Sequence, residues 1–147
     1  MQRRRRPLAT PLGPAAVGIG SGILLLVAVF LPWYGVNLGP ASEIGTASGW
    51  DWTAVAKGAL GLAVIWTLAS GLVLADRLDY FRVDARTAEA LGWLVAGCAA
   101  LACGLVAYRL FRPPETADFL TRDFGLFISL VAAAIGVVAG VAQASHR

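Results

Sequence analysis

Side chains able to do chemistry are few in this chain of 147 residues, and their spacing argues against most reactions. Hydrolysis by a serine nucleophile needs a histidine placed to take the hydroxyl proton. The one histidine is His146, next to last in the sequence, where it reads as a solvated tail residue. Cys98 and Cys103 stand five apart, which on a helix puts them on different faces. That spacing suits neither an internal bridge nor a zinc site, and both read as small buried residues. There is no CxxC, no glycine-rich phosphate loop after a strand, and no carboxylate set at metal spacing. The expectation is a protein that is not an enzyme and carries no cofactor or metal.

The elements that hold these residues are set by composition. With 58% hydrophobic and 14% charged residues and a mean hydropathy of +0.70, the chain is far more apolar than a soluble domain, which carries about 25% charged residues. The apolar residues come in long blocks without a polar face. A spanning helix needs roughly 20 mainly apolar residues to cross a hydrocarbon core of about 30 Å. Four blocks reach that length: residues 15–34, 52–75, 88–110 and 124–143. They are separated by a Gly-, Ser-, Asn- and Pro-containing segment at 35–51, a charged loop at 76–87 and a segment at 111–123. The last holds Pro113 and Pro114, which lack the N–H a helix needs. The first separator is a loop by composition, although it is long enough to hold a short hairpin. A membrane β-barrel would show alternating segments of about ten residues, and no block alternates. The fold class predicted is all-α, a four-transmembrane-helix bundle with short loops, with tails at residues 1–14 and 144–147.

Basic residues orient that bundle. Arg3, Arg4, Arg5, Arg6, Arg77, Arg82, Arg86 and Arg147 lie on one predicted side, against Lys57, Arg109, Arg112 and Arg122 on the other. The richer side is expected to be cytoplasmic, with both termini there. A signal peptide would need small residues after its apolar run, where Phe30-Leu-Pro-Trp-Tyr34 is bulky, and the arginines lack the rest of a twin-arginine motif. Arginines flanking a span are explained by topology and by anionic headgroups, so nucleic acid is not an expected partner. Trp33, Tyr34, Trp50, Trp52, Tyr108 and Phe111 fall near the outer interface, and Tyr80, Phe81 and Trp93 near the inner one. Aromatic rings with a polar edge favour both depths.

Helices in lipid associate through close backbone approach, which small residues permit. Gly18 and Gly22 mark the first span, and Ala59, Ala63, Thr67, Gly71 and Ala75 the second. Gly92, Ala96, Ala100 and Gly104 mark the third, and Ala132, Gly136, Gly140 and Ala144 the fourth. These stripes are expected to pack the bundle internally. A sharper alternative has the fourth-span stripe facing outward to dock a second copy or another membrane protein. Ionisable residues are missing from the span interiors; Lys57 and Arg109 lie near span ends where their stems snorkel to water. Polar groups at membrane depth reduce to Ser21, Thr67, Ser70, Ser129 and the Trp66 indole.

On the outer side, Gly49-Trp-Asp-Trp52 faces Leu31-Pro-Trp-Tyr34 across the first loop, beside Glu43, Glu115, Asp118 and Asp123. Trp33, Tyr34, Trp50, Asp51 and Trp52 therefore form a candidate outer contact patch, with interfacial anchoring of two helix ends as its plain alternative. Leu31-Pro-Trp-Tyr-Gly35, Gly49-Trp-Asp-Trp52 and the Gly125-Leu-Phe-Ile-Ser-Leu130 start of a Gly/Ala-rich last span resemble small four-span membrane proteins of actinobacteria. Eleven arginines against one lysine fit the coding bias of a GC-rich genome. The resemblance implies a multi-pass cell-membrane protein and no particular activity. A claudin-like layout is similar in span number and in the aromatic residues of the first outer loop, but that loop is too short here for the claudin extracellular sheet and has no cysteine pair. The function expected is a structural or accessory subunit acting through helix or outer-loop contacts. The runner-up is a small oligomeric transporter or channel with its path between subunits.

Overall fold

A computed structural model describes residues 12–36, 46–48, 54–112 and 120–145. Among them are four α-helices, α1 (Gly13–Ala28), α2 (Ala54–Arg77), α3 (Ala85–Phe111) and α4 (Phe124–Ser145). Three of these, α2, α3 and α4, are long and apolar enough to cross a membrane, and α1 is a shorter apolar helix. Three short strands, β1 (Pro32–Val36), β2 (Thr46–Ser48) and β3 (Leu120–Arg122), form one antiparallel sheet in the order β2-β1-β3.

The sheet corrects the expected end of the first span. The first span was predicted to run through residue 34, but the helix stops at Ala28 because Pro32 follows, and proline disfavours helical backbone in the residue before it. Phe30 N–H bonds Val27 O and Leu31 N–H bonds Ala28 O as the last turn tightens. Residues 32–36 then become the central strand, with Pro at its first position, where a missing N–H does least harm. The first loop reads by composition as a loop long enough to hold a short hairpin. It holds a hairpin, Gly35 pairing with Thr46 on one side and with Thr121 on the other. The second outer segment supplies the third strand, and this shared pairing lets two short loops do what neither could alone.

At the opposite end the charged residues build a tight helical hairpin. Tyr80 N–H reaches Ala75 O and Asp79 N–H reaches Asp76 O, closing α2 with Asp79 in left-handed backbone at φ 61°. Asp tolerates that conformation at a site where Gly is common. Asp76 Oδ1 accepts from Val83 N–H across the loop, and Asp84 caps α3 by accepting from Thr87 N–H and Thr87 Oγ. Both helices thus extend two to three residues into the predicted loop of 76–87. The bonds from Thr87 hold the Asp84 carboxyl below its ordinary value of 3.8. Its contribution to stability is present above pH 3.8 and is lost as pH falls through the lower folded-state value. Asp84→Asn, which keeps a capping oxygen, is expected to flatten this part of the acid limb of thermal stability measured in detergent while leaving the midpoint at pH 7 little changed.

Contacts between helices fix an up-down-up-down ring. Gly18 lies against Ser70 and Gln143, Gly22 against Thr67, Gly58 against Leu105, and Gly92 against Ala144. Each sequential pair is therefore antiparallel, and α1 closes the ring on α4. The interior is filled by short side chains, Ala56, Ala59, Ala63, Ala99, Ala102, Ala132 and Ala133, around the buried Trp66. Large apolar side chains face outward: Ile23, Val27, Leu68, Leu72, Leu101, Ile135 and Val138 are all exposed. That distribution is the reverse of a soluble bundle, whose largest apolar groups fill the core.

Candidate functional site

Two of the five residues of the expected outer patch, Trp33 and Tyr34, are fully buried. Trp33 Nε1 donates to Ala28 O at 2.9 Å, a second bond to a carbonyl that also accepts from Leu31 N–H at the end of α1. Tyr34 Oη donates to Arg109 O at 3.1 Å, tying β1 to the last turn of α3. Asp123 N–H bonds Trp33 O at 2.9 Å, and Asp123 Oδ1 accepts from Phe124 N–H at the start of α4. Gly125 brings that helix end onto β1, since a Cβ there would fall against Pro32 O and 3.0 Å from Leu31 Cβ. These two aromatics peg the sheet to the bundle and are not displayed as a surface. Trp50, Asp51 and Trp52 lie outside the described residues.

The small-residue stripes sort by helix. On α4, Ala132, Gly136, Gly140 and Ala144 are all buried. Gly140 meets the Ala96 backbone and Gly136 meets Ala99 and Trp66, so this stripe faces into the bundle, against its expected alternative of an outward docking face. On α3, Gly92 and Ala96 are buried, whereas Ala100 and Gly104 are exposed, and nothing lies within 4 Å of a Cβ built on Gly104. A row of residues four apart turns about 40° per step on a helix of 3.6 residues per turn, so the row leaves the contact face. The buried face follows Gly92, Val95, Ala96, Ala99, Ala102 and Val106 instead. On α2, Ala63 is buried while Gly71 is half-exposed with open space around it. Gly18 and Gly22 on α1 are buried and tight.

Among the described residues, a concentration of polar groups inside the bundle sits where α1, α2 and α4 meet. Gly18 O accepts from Ser21 Oγ at 3.0 Å and from the Trp66 indole at 3.2 Å. Gln143, only 3% exposed, donates from Nε2 to Pro14 O at 3.1 Å and to Ser70 Oγ at 3.2 Å. Its Oε1 is buried without a hydrogen-bond partner. Gln143 was placed at the end of the fourth span and not among the membrane-depth polar groups. The signal that would have marked it is its position seven residues after Gly136 and three after Gly140, on the stripe side of α4. Thr67 and Ser129 bond to carbonyls of their own helices, Ala63 O and Gly125 O.

No known protein family matches the chain. No curated protein is significantly similar to it. The chemistry of the polar cluster is thus read from its own atoms. It contains hydroxyls, an amide, an indole and carbonyls, and none of them titrates near neutral pH, so it offers hydrogen bonding and not proton transfer. Among the described residues no group of three His, Cys, Asp or Glu side chains could hold a metal. Cys98 is buried and Cys103 half-buried, both as free thiols.

A cluster of this kind fixes helix register. In a double-mutant cycle between Gln143→Met and Ser70→Ala, the coupling energy is expected near 0.6 kcal/mol and below about 1.7 kcal/mol, the range of interhelical hydrogen bonds in lipid. Unfolding of the four proteins in mixed micelles measures it, and strict additivity would mean the bond carries no energy.

Proposed function

We propose that this chain is a four-span cell-membrane protein with both termini on the cytoplasmic side, acting without catalysis as a structural or accessory subunit through its outward surfaces. The observation that carries this reading is the inverted packing: glycines, alanines and serines in contact within the bundle, and large apolar side chains directed outward. Small residues at helix contacts are how helices associate in hydrocarbon.

Charge supports the orientation. The segments before α1, between α2 and α3, and after α4 connect at one end of an up-down bundle. With the flanking turns they carry eight basic residues against four acidic ones, Asp76, Asp79, Asp84 and Glu89. The other end carries four basic against five acidic residues. Exposed aromatics at both ends, Tyr80 and Phe81 at one and Phe30, Tyr108 and Phe111 at the other, suit two interfaces.

The close-packed interior favours a subunit role over a carrier with a path through its own bundle. Reporter fusions at residue 80 and at the carboxyl end test the topology and should both report cytoplasm; opposite faces would overturn it. Isolation in mild detergent tests the role. A different protein retained in fixed ratio supports it, whereas a discrete homo-oligomer that passes ions in liposomes would favour the alternative of a channel between subunits.

A further inference from the structure

We draw no further inference here: the strongest candidate, the apolar groove between α1 and α4 lined by Pro14, Val17, Ile135, Val138, Ala139 and Ala142, carries nothing, because no described residue shows what covers it and the nearby unpartnered Gln143 Oε1 does not line it.

Discussion

Gly140→Leu is expected to leave almost no folded protein recoverable in mild detergent, and even Gly140→Ala is expected to lower stability by about 1–3 kcal/mol, the usual cost of overpacking. A Cβ at Gly140 would lie 2.7 Å from Ala96 Cα and 2.9 Å from Ala96 Cβ, and against the Ala96 nitrogen as well. Backbone cannot rotate away as a side-chain tip can, so α3 and α4 must move apart. At the neighbouring Gly92 a Cβ would stand 2.6 Å from the Ala144 nitrogen, an equally unforgiving approach, and separation at one point opens the other. Gly104→Ala and Gly71→Ala are the controls, because open space surrounds both positions. They are expected to be neutral or to gain up to about 1 kcal/mol from better helix propensity. Unfolding in mixed micelles measures all four, and equal shifts for Gly140→Ala and Gly104→Ala would mean the close approach is absent.

Trp66→Ala should cost about 3–5 kcal/mol, the range for removing a large aromatic from a packed interior. Trp66 is wholly buried, and its ring fills the space left by two glycines on neighbouring helices. A Cβ on Gly22 would be 2.5 Å from its Nε1, and one on Gly136 would be 3.3 Å from its Cζ2. Surrounding alanines cannot reach across the void that alanine at 66 would create. Trp66→Phe keeps most of the volume and loses the bond to Gly18 O, so it is expected to fall well short of that cost, with the hydrogen-bond share near 0.6 kcal/mol. A Trp66→Ala protein within 1 kcal/mol of wild type in the same unfolding assay would exclude a central role for this ring.

The long apolar blocks made the helices readable because hydrocarbon-length runs without a polar face admit few other structures. Boundaries were misread at both kinds of end: the third helix starts at Ala85 behind the Asp84 cap, three residues before the predicted span, and the first stops ahead of Pro32, whose effect on the preceding residues was outweighed by the apolar run around it. The sheet was hidden for a different reason: β1 is completed by partners about a dozen and almost ninety residues away, and no local pattern announces such pairing. Packing positions were legible on α4, where the four-residue row stays within the buried face, and misleading on α3, where Ala100 and Gly104 turn away from it. Trp33 and Tyr34 looked like display residues because aromatics at a helix end suit an interface. Their burial follows from the sheet, which folds them back over the bundle, and so it shared the sheet's invisibility.

The early stop of α1 has a consequence for the lipid around it. Sixteen helical residues extend about 24 Å, against about 33 Å for the 22 residues of α4. On the four-span reading proposed above, a wall whose helix is about 6 Å shorter than an average hydrocarbon thickness would draw the neighbouring leaflet inward, at fractions of a kcal/mol per Å. Such a chain would gather where the bilayer is already thin, including beside other proteins with a short flank.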